Sequence, residues 1–304
     1  MICIYCAKRV IFQFVLPTVP LHATPFFMIV FPNSKINLGL RITQKRNDGY
    51  HDLETIFYPI PLTDVLEINK YTVYQEKFSV PFSKSGFVLD GDSSDNLCVK
   101  AYKLLRKDFP TITNVQMHLH KAVPAGAGLG GGSADAAFTL MLLNDLFELE
   151  LSKEQLLDYA LKLGSDCPFF IHNKPCYATG RGELMEPVEL DLSAYKIVVV
   201  NPGIHINTGR AFLGIKPTVQ DVTLREIISW PIERWKDELF NDFEQSVFNQ
   251  FPEIVNIKDQ LYINGAAYAS MTGSGSTVYG LFLKEETPSF SFPESYFVKE
   301  LALS

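Results

Sequence analysis

Hydrophobic and polar positions recur along this chain in blocks that predict a mixture of strands and helices. Residues 28–42, MIVFPNSKINLGLRI, read as a strand with a bend at Pro32. Lys35 and Asn37 lie two apart and therefore point to the same face of it. The turn signal Asn47-Asp48-Gly49 carries Tyr50 and His51 into a second strand over 53–60, and residues 64–90 alternate like short strands with polar connections. A helix is predicted over 94–105, capped by Ser94 or Asp95. Residues 114–121 alternate, with Val115, Met117 and Leu119 on one face and Gln116, His118 and His120 on the exposed one. Further on, Ala137, Leu140, Met141, Asn144 and Phe147 recur at helical spacing as a core stripe. Ser152 and Gln155 form a capping box for a helix ending at Gly164. Residues 194–203 read as a buried strand ending in a turn, 241–261 as helix broken near Pro252, and 269–283 as a small-residue loop followed by a strand.

Between the strand ending at Lys121 and the helix that follows stands PAGAGLGGGSA, residues 124–134. Glycine admits backbone angles that a Cβ forbids, and a helix start offers unpaired N–H groups and a positive dipole end. Together they cradle an anion, most often phosphate. Gly126, Gly128 and Gly131 match the G-x-G-x-x-G of dinucleotide-binding turns, but Glu148 and Glu150, at the distance of the expected acidic residue, fall in or just after a helix. A Walker A loop would end in Gly-Lys-Ser/Thr, whereas this one ends in Gly132-Ser133-Ala134. A nucleotide-phosphate loop of another kind stands beside these two. A flexible linker fits poorly, because a patterned apolar helix follows at once.

The 304 residues are 47% hydrophobic and 20% charged, a soluble composition with length for two domains, divided here near residue 187. A net charge of −7 argues against a nucleic-acid-binding surface, so phosphate binding must be local. Five scattered cysteines make no disulfide framework and fit a reducing cytoplasm. Residues 1–27 carry Lys8-Arg9, an apolar run and Ala23, like a signal peptide. The plainer expectation is that Met28 is the true start and that 1–27 are non-native or disordered. Asp166, between a helix end and Cys167-Pro168, reads by itself as a cap or turn aspartate.

Lys35 on the first strand, the 124–134 loop and Thr272-Gly-Ser-Gly-Ser276 resemble, at these separations, the GHMP kinase superfamily over residues 28–283. Ser34-Lys35-Ile36-Asn37-Leu38, Asp48-Gly49-Tyr50-His51, Gly164–Phe170 and Asn201-Pro202-Gly203 resemble the branch whose substrate carries a cytidine diphosphate. The resemblance implies an α+β fold of two domains. One is a ribosomal-S5-domain-2-like ATP-binding domain over 28–187, the other a ferredoxin-like domain over 188–304, with the site between them. It implies transfer of the ATP γ-phosphoryl group to a free hydroxyl of the cytidine diphosphate alcohol, in the non-mevalonate route to isoprenoids. Lys35 and Asp166 would be the catalytic pair. Pro124, Ala125, Gly126, Ala127, Gly128, Leu129, Gly130, Gly131, Gly132, Ser133 and Ala134 would wrap the ATP phosphates, with Asn96 and Leu97 near the adenine. His51 would hydrogen-bond the cytosine edge, Tyr50 and Phe212 would pack on its faces, and Asn37 and Thr208 would touch the substrate. Mg²⁺ would bridge the ATP phosphates through unassigned ligands. The expected protein is a monomer or weak homodimer without nucleic-acid or membrane partners. A GHMP kinase for another small alcohol and a silent nucleotide-sensing relative are the alternatives.

Overall fold

The computed structural model describes residues 2–6, 9–13, 26–71, 80–88, 91–212, 215, 217 and 220–304, with side chains described from Met28 onward. In chain order the strands are β1 (Ile2–Cys6), β2 (Arg9–Gln13), β3 (Phe26–Val30), β4 (Asn33–Lys45), β5 (His51–Thr63), β6 (Val65–Lys70), β7 (Phe82–Gly86), β8 (Val115–Lys121), β9 (Cys176–Thr179), β10 (Leu184–Pro187), β11 (Tyr195–Asn201), β12 (Tyr268–Met271), β13 (Val278–Leu283) and β14 (Phe297–Ala302). The helices are α1 (Leu97–Asp108), α2 (Gly131–Leu146), α3 (Lys153–Leu163), α4 (Cys167–His172), α5 (Thr208–Ala211), α6 (Leu224–Ile227), α7 (Trp235–Glu238), α8 (Phe243–Gln250) and α9 (Pro252–Ile263). Two compact units form, each from three stretches of chain. The first takes Met1–Asn33, Thr63–Val123 and Gly131–His172; the second takes Ser34–Leu62, Pro124–Gly130 and Asn173–Ser304.

The first unit is a sheet of order β1-β2-β3-β6-β8-β7 with α1–α4. Its pairings are antiparallel apart from the parallel β7–β8 pair. In β8 the alternation predicted from sequence holds: Val115, Met117 and Leu119 are buried, and so is Lys121 in the same register. On the other face His118 bonds to Ser83 and Ser85 of β7. Helix α2 packs on α1, α3 and α4. The predicted single stripe is too narrow for it: Ala136, Phe138, Leu142 and Leu143 are buried as well as Ala137 and Leu140, while Met141, Asn144 and Phe147 are half-buried. A helix apolar on most sides is one surrounded by neighbours. Helix α1 begins at Leu97, later than predicted. Ser93–Asp95 form a separate 3₁₀ turn capped by Asp92, and Asn96 caps α1 by accepting the Cys98 N–H at 2.9 Å. The Ser152–Gln155 capping box of α3 is present with both bonds.

The second unit contains two four-stranded sheets, β10-β9-β5-β4 and β12-β13-β11-β14. Leu40 and Ile42 join Val198, Val200, Phe243, Leu261 and Phe282 in its core. The predicted break near Pro252 separates α8 from α9, which opens on that proline, where no N–H is needed. Among the described residues no helix is long and apolar enough to cross a membrane.

Candidate active site

The segment Pro124–Gly130 belongs to the second unit and turns through three glycines at positive φ, Gly126 (+62°), Gly128 (+80°) and Gly130 (+70°). Its carbonyl groups face protein. Ala127 O accepts from Thr277 N (3.4 Å), Gly128 O from Lys35 Nζ (2.9 Å), and Leu129 O from Lys35 N (3.0 Å). Its N–H groups do not: among the described residues none from Ala125 to Gly130 donates a hydrogen bond. A Cβ on Gly128 would collide with the Thr272 carbonyl oxygen, so only glycine allows this approach of two backbones.

Lys35 is buried on β4, and its ammonium donates to Asn37 Oδ1 (2.6 Å) as well as to Gly128 O, with the Phe57 ring centroid 5.2 Å away. The shared face predicted from the strand period is what brings Lys35 and Asn37 together. Asn37 is engaged on every side. Its Oδ1 also accepts from Gly273 N (3.0 Å), its Nδ2 donates to Thr55 Oγ1 (2.9 Å), its N–H donates to Thr272 Oγ1 (3.0 Å), and its carbonyl accepts from the Tyr279 hydroxyl (2.8 Å). The Thr272 hydroxyl lies 3.1 Å from Gly128 O and 3.2 Å from Asn37 Oδ1, so its single proton serves one or the other. Thr55, Thr272 and Tyr279 escaped sequence reasoning as individual contributors. Only the small-residue run around Thr272 signalled that a backbone passes close by.

In the first unit, Gly131–Ala134 open α2, whose first N–H groups have no intrahelical acceptor. A Cβ on Gly132 would stand 3.8 Å from Leu97 Cδ1, which places Leu97 beside the helix start, with Asn96 next to it. Asp166 is half-buried in the turn between α3 and α4. The next residue, Cys167, is buried and hydrogen-bonds with Ser133, so the Asp166 turn sits against the first turn of α2. Burial pushes the Cys167 thiol up to about 12, which keeps it a neutral packing group.

Beneath the same junction lies a buried cluster that the sequence did not announce. Lys121 bridges Asp64 and Asp135, donating to Asp64 Oδ2 and to Asp135 Oδ2, the latter at 2.8 Å. Asp64 Oδ1 accepts the N–H groups of Ala122 (2.7 Å) and Val123 (2.9 Å). Burial raises the Asp135 carboxyl to about 7; Lys121 opposes this and Asp64 adds to it. Burial pulls Lys121 down, but the attraction of the two aspartates outweighs it and its net shift is upward. The available sequence signal was register, since Lys121 continues the inward-facing positions of β8.

The remaining predicted residues lie in the second unit. Tyr50 is exposed, with the Arg181 guanidinium 5.0 Å from its ring centroid. The rings of His51 and Phe212 stack on each other, centroids 4.7 Å apart and 11° from parallel, and the Phe212 ring meets Phe243 edge-on. Thr208 opens α5, its hydroxyl 2.9 Å from Ser274 Oγ. Arg181 was not expected at this site. Among the described residues no cluster of three or more His, Cys, Asp or Glu could hold a metal ion.

Residues 96–174 match the family model of the GHMP kinases N terminal domain, and residues 231–290 match that of the GHMP kinases C terminal. The class is thus GHMP kinase. The 4-diphosphocytidyl-2-C-methyl-D-erythritol kinase of Bacteroides fragilis is 54% identical over 259 residues, 85% of this chain and 93% of that protein. Its namesake from Bacteroides thetaiotaomicron is 52% identical over 260 residues, 86% of this chain and 94% of that protein. A crystal structure of 4-(cytidine 5'-diphospho)-2C-methyl-D-erythritol kinase is similar with a TM-score of 0.73 and 28% identity, covering 91% of this chain and 100% of that one. The chain belongs to the 4-diphosphocytidyl-2-C-methyl-D-erythritol kinase family.

Proposed function

We propose that this kinase transfers the γ-phosphoryl group of ATP to the 2-hydroxyl of 4-diphosphocytidyl-2-C-methyl-D-erythritol, in the non-mevalonate route to isoprenoids. The observation that carries the nucleotide half is the division of labour in Pro124–Gly130: carbonyl groups bonded inward, N–H groups from Ala125 to Gly130 left for an outside acceptor. Such amides beside a helix start suit the oxygens of a polyphosphate. The residues present therefore fit ATP, and Mg²⁺ enters as part of that substrate, neutralising charge on its phosphates.

Phosphoryl transfer demands positioning and charge neutralisation more than covalent chemistry. Asp166 is assigned to accept the proton of the attacking hydroxyl, and Lys35 to stabilise charge on the transferring group. Asn37 is assigned to hold Lys35 in place, since its own polar atoms are already occupied inside the protein. Asn96 and Leu97 border the adenine. His51 reads the edge of the cytosine, with Tyr50 and Phe212 as its aromatic walls, and Thr208 contacts the sugar-alcohol side.

The test is ATP consumption by the purified protein with the cytidyl substrate, with mevalonate and with homoserine. Turnover with the cytidyl substrate alone is expected. Turnover with mevalonate or homoserine instead would overturn the assignment.

A further inference from the structure

The Asp64–Lys121–Asp135 cluster takes no part in the chemistry above, yet all three side chains are almost wholly buried. Asp64 follows β5, Lys121 ends β8 and Asp135 lies early in α2. Residues 121–123 lead into the glycine loop and Gly131 leads out of it, so the cluster grips both ends. Asp64 holds the entry through the Ala122 and Val123 amides. Lys121 reaches across to Asp135 on the exit side. The two ends pack closely: a Cβ on Gly131 would stand 3.2 Å from both Lys121 Nζ and Val123 Cγ1.

The charges do not balance. Two carboxylates share one ammonium, and a net negative charge in a buried site is costly. One carboxylate must therefore retain a proton more readily than the other. Asp64 accepts from two amides through Oδ1 and from Lys121 through Oδ2, so both of its oxygens are already occupied as acceptors. Asp135 accepts from Lys121 through Oδ2, while its buried Oδ1 has no hydrogen-bond partner among the described residues. The proton belongs on Asp135. The titratable groups facing it are Asp64 from the β5–β6 connection, Lys121 from β8 and Cys98 from α1, whose thiol burial pushes up and keeps neutral.

We propose that Asp64, Lys121 and Asp135 are positioning residues for the nucleotide: they clamp the two ends of the glycine loop and, through one shared proton, tie its affinity for ATP to pH. The inference rests on the assignment of the loop to the ATP phosphates. With Asp135 protonated the cluster is neutral and the clamp closed. Loss of that proton leaves a buried negative charge next to the entry of a polyanion and weakens its binding.

The experiment is calorimetric titration of the full-length protein with Mg·ATP between pH 6 and 8.5, for the wild type and for Asp135→Asn. The variant keeps the shape and removes the titration. Taking the ratio of the two Kd values at each pH cancels protonation of ATP itself. The ratio is expected near one at pH 6, with the wild type about fivefold weaker than the variant at pH 8.5, the effect of one charge at a moderate effective dielectric. A ratio that stays constant across the range overturns the proposal while the loop assignment stands. A wild type that binds no ATP at any pH overturns both. Lys121→Met, which leaves the two buried carboxyl groups without the cation that bridges them, is expected to raise the Kd for ATP at least about tenfold with kcat at saturating ATP little changed; an unchanged Kd in a folded variant overturns the clamp.

Discussion

The Lys35 ammonium stands 2.6 Å from Asn37 Oδ1, and that oxygen also receives the Gly273 amide. One side chain on β4 thus orders both the lysine beside it and the loop after β12. Replacing Asn37 by Ala would strip buried partners from Lys35, Thr55 and Gly273 at once. The expected cost in urea-unfolding free energy is about 2–4 kcal/mol, since each buried polar group left unmade costs on the order of 1–3 kcal/mol. Turnover should fall along with stability because Lys35 loses its orientation. A variant as stable and as active as the wild type would show that the network is incidental.

His51 and Phe212 occlude one face of each other in this structure, and Phe212 is further held by Phe243. Both rings are half-buried, and Phe212 packs against the core of the second unit. His51→Ala should raise KM for the cytidyl substrate by about tenfold, the weight of one hydrogen bond to a buried polar edge, while KM for ATP stays put. Phe212→Leu should have a smaller effect of the same kind, because area is retained and ring stacking is lost. Initial-rate kinetics with each substrate varied in turn would decide it; an equal rise in both KM values would place these rings outside base recognition.

The strand period was enough to put Lys35 and Asn37 on one face, and the capping signature was enough to start α3 at the right residue. These are local rules, satisfied within a few residues. What the sequence could not display were partners far apart in the chain. Thr272 meets Asn37 across 235 positions, and Asp64 meets Lys121 across 57. A threonine in a glycine loop and an aspartate after a strand look like ordinary turn residues until the fold supplies their neighbours. The narrow stripe expected for α2 failed for a related reason: periodicity reports one buried face, and this helix has several.

The Asp135 carboxyl, raised by burial to about 7, also bears on stability. In the unfolded chain the same group titrates near the ordinary aspartate value of about 3.9. Between the two values the folded protein holds a proton that the unfolded chain has released. Stability from this group is therefore fully present below about pH 4 and is lost as pH rises through about 7. Asp135→Asn has no such proton to lose. Urea unfolding of both proteins across pH 4.5–8.5 should show the variant gaining on the wild type as pH rises, then levelling above about pH 7. Parallel stability curves would remove the buried proton.

Asp166 sits in the turn that joins α3 to α4, next to a buried thiol that contacts the start of α2. Helix α2 is thereby linked to the proposed base by packing in one unit. A carboxylate fixed this way suits a residue that must accept a proton from a hydroxyl at a defined place, because proton transfer tolerates little misplacement. Asp166→Asn preserves the turn and the Cys167 contact while removing the acceptor. The expected loss in kcat is about 10²–10⁴-fold, the usual weight of a positioned base. ATP binding, assigned above to the loop amides and the helix start, should remain within a factor of about three. Single-turnover kinetics alongside calorimetric ATP titration separates the two quantities. Near-normal turnover would take the proton-accepting role from Asp166, whereas a matching loss of ATP affinity would make it a structural support of the loop.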